Sequence, residues 1–178
     1  MNSNAIRASN GALLSFPTPR TLSMSWFPAT TIDAAVGTVT GRTDGYGPLV
    51  ARHSGKCAGA VGLRSAPGVR VMQDTCRGGD DQKYWLRPVH GGFYQLMADH
   101  NSLCLRENAD SVTQERCDPG APAQHWKLTP SGEHLAVTSR AGERCLDVQG
   151  ASAADFATIL TYACNRQPNQ QWTRGAPE

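Results

Sequence analysis

Three observations predict an all-β chain assembled from three repeats. A unit of two cysteines followed by a tryptophan occurs three times: Cys57, Cys76 and Trp85, then Cys104, Cys117 and Trp126, then Cys145, Cys164 and Trp172. Short apolar runs rich in β-formers are bounded by Gly, Asp and Ser. No stretch holds a convincing helical period over a window of about 11 residues. One such unit is too small to bury its own apolar face, so the three share a core.

Each unit opens alike, with an apolar run, a polar turn and then the first cysteine: "GPLVARHSGKC" at 47–57, "GGFYQLMADHNSLC" at 91–104 and "GEHLAVTSRAGERC" at 132–145. "VRVMQDTC" at 69–76 and "ATILTYAC" at 157–164 supply later strands. The units close on Gln124-His125-Trp126 and Gln170-Gln171-Trp172. The first departs, reading Gln82-Lys83-Tyr84-Trp85, with Lys83 at the Gln place or one residue inserted. Residues 1–47 hold no cysteine, carry prolines at 17, 19 and 28, and are too polar to form a core of their own. They read as an extended N-terminal arm in which Trp26 and Phe27 are the docking candidates.

The 178 residues suit one domain plus that arm, with no room for a second enzyme domain. Lys and Arg number 17 against 15 Asp and Glu, without a basic stripe, which argues against nucleic acid as a partner. The longest apolar runs, such as Ala12-Leu13-Leu14, are too short to enter a bilayer. The six cysteines form an even set that can pair in many ways. Their regular spacing points to an oxidised, secreted protein. His53, His90, His100, His125 and His134 show no metal-ligand spacing, so neither metal nor cofactor is expected. A glycosidase needs two carboxylates flanking one bond, and Asp147 with Glu143 or Asp155 has only nearness in sequence to offer. The chain therefore reads as non-catalytic.

Together, the three Gln-x-Trp-like closings, the three cysteine pairs and the "CLDVQG…NQQW" block resemble the ricin-B-type, or R-type, lectin domain, also known as a xylanase-associated carbohydrate-binding module. "LVARHSGKC" and "CLDVQGASAADFATILTYAC" look like the bacterial modules that follow secreted glycoside hydrolases. The resemblance covers 48–175. It implies a β-trefoil of about twelve strands, with lobes at about 48–89, 90–130 and 131–175. It also implies one disulfide per lobe: Cys57 to Cys76, Cys104 to Cys117 and Cys145 to Cys164. Trp85, Trp126 and Trp172 would then be core residues.

Sugar recognition requires a carboxylate or amide to fork adjacent hydroxyls, a ring to stack on the pyranose and an amide to fix its orientation. The resemblance implies that these residues stand two after the first cysteine, two before the second and just ahead of the Gln-x-Trp. In the third lobe they are Asp147, Tyr162 and Asn169, flanked by Gln170 and supplemented by Gln149, while Leu160 stands where a polar residue is common. The second lobe has Arg106, Glu115 and Ala123; the first has Gly59 and Asp74, with Asp81 near the third position. One site per chain follows, for galactosides, xylan or cell-surface glycans. Alternatively, "NGALLS" at 10–15 resembles the start of the arm in cell-binding subunits of tripartite toxins such as the cytolethal distending toxin. On that reading residues 1–47 dock a protein partner.

Overall fold

The computed structural model describes residues 45–175, and the expected docking residues Trp26 and Phe27 lie outside them. Twelve strands form three lobes of four. The first lobe comprises β1 (Tyr46–Ala51), β2 (Cys57–Gly59), β3 (Met72–Asp74) and β4 (Lys83–Val89). The second comprises β5 (Phe93–Ala98), β6 (Cys104–Glu107), β7 (Val112–Glu115) and β8 (Trp126–Ser131). The third comprises β9 (His134–Ser139), β10 (Cys145–Val148), β11 (Ala157–Tyr162) and β12 (Trp172–Arg174). Tyr46 and Gly47, assigned by sequence to the arm, are in β1 and pair with Trp85 and Tyr84 of β4.

The first and last strands of each lobe pair antiparallel around a closed ring, β1–β4–β5–β8–β9–β12 and back to β1. Closure leaves these strands without a free edge. The middle strands form hairpins, β2–β3, β6–β7 and β10–β11, that cap the barrel. Strand alternation sends Leu49, Leu86, Leu96, Val137, Leu146 and Ile159 into one cluster with Trp126 and Trp172. Both indoles are fully buried, and each donates its N–H over 3.0 Å to the hairpin strand of its own lobe, at Leu105 O and Leu146 O. A large ring is thus buried without leaving its polar atom unmet.

The first lobe corrects one sequence expectation. Gln82, Gln124 and Gln170 make the same two bonds in their lobes. Each side-chain oxygen accepts a backbone N–H over 2.8 Å, from Arg77, Asp118 and Asn165 respectively. Each side-chain nitrogen donates to a carbonyl, of Thr75, Arg116 and Ala163. Gln82 is therefore the motif glutamine, and with a strand period of two the core position falls on Tyr84. Tyr84 is 1 % exposed, whereas Trp85 turns to the other face of β4 and is only half-buried. The motif here is Gln-x-Tyr, and Trp85 is not a core residue.

Consecutive lobes are latched in a repeating way. The residue after the first strand of each lobe donates its N–H to the carbonyl of the middle motif residue of a neighbouring lobe: Arg52 to Gln171 (2.8 Å), Asp99 to Lys83 (3.0 Å) and Arg140 to His125 (2.8 Å). Polar side chains at equivalent hairpin positions grip the neighbouring hairpin. Gln73 donates to Ser152 O and Ala154 O, Gln114 to Arg64 O and Ala66 O, and Thr161 to Glu107 Oε1. Disulfides Cys57–Cys76, Cys104–Cys117 and Cys145–Cys164 close loops of 19, 13 and 19 residues. In the chain-entropy account each stabilises the fold by about 3 kcal/mol.

The His125 latch sets a pH dependence. This buried imidazole has Nε2 3.1 Å from Pro119 O and Nδ1 3.3 Å from the Arg140 guanidinium, and His90 meets it edge-on at 6.5 Å. Arginine has only donors, so Nδ1 accepts and the ring is neutral. Burial holds its pKa below 6.5, and Arg140 and His90 add to this against the opposing Pro119 carbonyl. The folded state thus resists protonation. The resulting stability is complete above the ordinary histidine value and is lost as pH falls below it. Thermal unfolding between pH 7.5 and 5 should show a falling Tm, and the fall should be smaller in His125→Gln.

Candidate saccharide site

The third-lobe site is built on the outward face of the β10–β11 hairpin. Leu146 and Val148 point into the core, so Cys145 and Asp147 point out. Asp147 lies directly opposite Leu160, and Tyr162 lies opposite Cys145, one diagonal step from Asp147 on the same face. Tyr162 is 55 % exposed, with the Arg144 guanidinium 5.9 Å from its ring centroid. Leu160, half-buried between ring and carboxylate, supplies apolar floor rather than a polar contact.

Asp147 is only 4 % exposed. Its Oδ2 accepts from Gln170 Nε2 at 2.8 Å and Asn169 Nδ2 at 3.0 Å; Asn169 also donates to Val148 O at 3.1 Å. Among the described hydrogen bonds none ends on Oδ1. One oxygen is thus used to orient the carboxylate, and the other carries no described hydrogen bond. Burial raises the Asp147 pKa above 3.8, against the two amide donors and the nearby His53. A charge kept in place against a desolvation penalty marks a functional candidate.

The turn beyond β10 carries Gln149, the remaining residue expected at the site. A 3₁₀ turn, Gln149–Ala151, passes through Gly150 at φ +63°. Gln149 is exposed there, and no described hydrogen bond joins it to Asp147, Asn169 or Gln170. Lobe one pins the loop that follows: Gln73 holds Ser152 and Ala154, His53 Nε2 lies 3.0 Å from Ser152 O, and Lys56 pairs with Asp155. Sequence reasoning missed these cross-lobe supports because their partners are 79 to 99 residues apart.

The family model for the "ricin-type beta-trefoil lectin domain" matches residues 45–172. The chain belongs to this family. Solved structures share its fold. The designed three-fold symmetric protein ThreeFoil is 33 % identical, with 74 % of this chain and 98 % of that one covered and a TM-score of 0.70. An exo-β-1,3-galactanase from Clostridium thermocellum is 24 % identical, with 74 % and 30 % covered and a TM-score of 0.70. The C-half of the earthworm R-type lectin, solved with GalNAc, is 16 % identical, with 75 % and 99 % covered and a TM-score of 0.64. No curated protein sequence matches the chain.

Within this ricin-type trefoil the other two lobes are built differently at the equivalent places. In lobe one, register puts Gly59 at the Asp147 place and Asp74 at the Tyr162 place. A Cβ on Gly59 would meet Asp81 O and Gln82 Cγ at 2.9 Å, so no side chain fits without a shift. Arg77 pairs with both Asp74 and Asp81, tying up those two carboxylates. In lobe two, Arg106 faces Thr113 where lobe three sets Asp147 against Leu160, and Glu115 replaces the ring. A donor-only guanidinium cannot accept from sugar hydroxyls.

Proposed function

We propose that the chain is a non-catalytic carbohydrate-binding domain that holds one sugar through its third lobe. The observation that carries this reading is the buried Asp147 carboxylate, fixed through Oδ2 by Gln170 and Asn169 with Oδ1 unclaimed, beside an exposed tyrosine ring. Adjacent hydroxyls of a pyranose donate to Asp147, its apolar face stacks on Tyr162 over Leu160, and Asn169 and Gln170 set the carboxylate. Gln149 closes the rim. Galactose-like and xylan-type sugars are the ligands to test first. Among the described residues no second carboxylate joins the site: Asp155 is paired with Lys56 and bonded to Thr75, and Glu143 is exposed at the β9–β10 turn. The reading therefore includes no bond cleavage.

A shallow single site of this size gives an affinity of about 1 mM, near −4 kcal/mol, so useful retention comes from polymeric ligands or multivalency. Three disulfides fit a protein of an oxidising, extracellular setting. A panel of galactosides, GalNAc and xylo-oligosaccharides, run with Asp147→Ala and Tyr162→Ala beside the parent, tests the function. Binding that both substitutions remove supports it; binding indifferent to both, or none at all, overturns it. Docking of a protein through residues 1–47 is a separate expectation. It is sustained only if a chain lacking 1–44 folds and binds sugar but loses a partner.

A further inference from the structure

A groove of about 680 Å³ lies beside the third-lobe site. Its floor is the outward face of the β8–β9 pair, where Thr129 stands opposite Ala136, with Thr138 farther along β9. Two guanidinium side chains line it, Arg52 from lobe one and Arg166 from the loop before β12. Among the described residues neither is paired with a carboxylate. Arg52 is held in place: its Nη1 donates to Gln171 Oε1, and Gln171 Nε2 donates in turn to Ser131 Oγ at 3.0 Å. The other ionisable groups lining the groove are Glu133 and His134, whose Nδ1 lies 3.0 Å from Thr173 Oγ1.

Two cationic forks against one carboxylate form a local anion-seeking surface, in a chain whose net charge is only +2. Around them the groove offers the hydroxyls of Thr129 and Thr138 and the apolar surface of Pro130 and the Cys145–Cys164 bridge. That mixture of guanidinium, hydroxyl and small apolar patches matches a ring bearing both hydroxyls and one oxyanion. We propose that this groove binds an oxyanion-bearing saccharide, a uronic acid or a sulfated sugar, with the oxyanion on Arg52 and Arg166. Gln170 is shared, bonding Asp147 while lining the groove, but the groove binds its ligand without Asp147.

Calorimetric titration with a galacturonate oligosaccharide, a sulfated disaccharide and the neutral counterpart of each tests this, using the full chain and the variants Arg166→Gln, Arg52→Lys and Asp147→Ala. Arg166 is exposed and makes no described hydrogen bond, so its substitution leaves the fold intact, which circular dichroism verifies. The expected result is binding of at least one acidic ligand in preference to its neutral counterpart. Affinity should fall on the order of tenfold in Arg166→Gln, fall with added salt, and hold in Asp147→Ala. Which acidic ligand binds separates carboxylate from sulfate recognition. Equal binding of neutral and acidic ligands, indifference to Arg166→Gln, loss in Asp147→Ala or no acidic binding would each overturn it. Neutral-sugar binding that depends on Asp147 is read in its own arm, so the two sites fail separately.

Discussion

Asp147→Asn is expected to lose sugar binding while keeping, or raising, the melting temperature. The carboxylate sits in a site that raises its pKa by desolvation, so the folded state prefers the protonated form. The sign follows by linkage: the stabilising preference is complete below the ordinary aspartate value of 3.8 and is lost as pH rises through the higher folded value. At neutral pH the charge is therefore held at a cost to the fold. Asparagine removes the charge and still presents an oxygen to Gln170 and Asn169. For the ligand it replaces a two-hydroxyl acceptor with an amide, and a lost charged hydrogen bond of about 1.5–3 kcal/mol lowers affinity tenfold or more. Asp147→Ala has the same effect on binding but leaves two amide donors short of a partner, so it alone should destabilise, by about 1 kcal/mol. If binding runs through this carboxylate, its acid limb should be displaced upward from 3.8, the direction in which burial moves the Asp147 pKa. Calorimetric titration and thermal melts of the three proteins check each part.

The second large effect concerns the core. Tyr84→Ala, Trp126→Ala and Trp172→Ala should each cost about 3–5 kcal/mol, because each empties a fully buried ring site. Trp85→Ala should cost much less, on the order of 1 kcal/mol, because that residue is on the opposite face of β4 from Tyr84 and is only partly buried. Denaturant unfolding ranks the four. A Trp85 effect equal to that of Trp126 would restore the core position to residue 85 and contradict the Gln-x-Tyr reading of the first lobe.

Much of this architecture was legible because it repeats. Three copies of one spacing announce three lobes, and the alternation in "GPLVA" or "ATILTY" reveals which face is buried. The first motif misled because "QKYW" offers two rings in succession, and only the bonds of Gln82 to Arg77 and Thr75 decide which one enters the core. The third-lobe residues were legible as positions: Asp147, Tyr162 and Asn169 stand where register brings them onto one face or into one hydrogen-bonded set. Their electrostatics were not legible. Nothing local in "CLDVQG" tells that both amides converge on the same oxygen, or that Arg144 stands over the tyrosine ring. The cross-lobe grips of Gln73, Gln114 and Glu107, and the groove between Arg52 and Arg166, join segments distant in sequence and belong to the closed barrel alone.

In the proposed function one lobe of three binds sugar, through Asp147. Backbone amide NMR of the oxidised chain, titrated with a simple galactoside or xylo-oligosaccharide, is the test of that reading. A single saturable site is expected, its shifts gathered at 144–171 and absent in Asp147→Asn, with Gly59 and Arg106 undisturbed. Equal shifts in the first or second lobe, or persistence of the third-lobe shifts in Asp147→Asn, would contradict it.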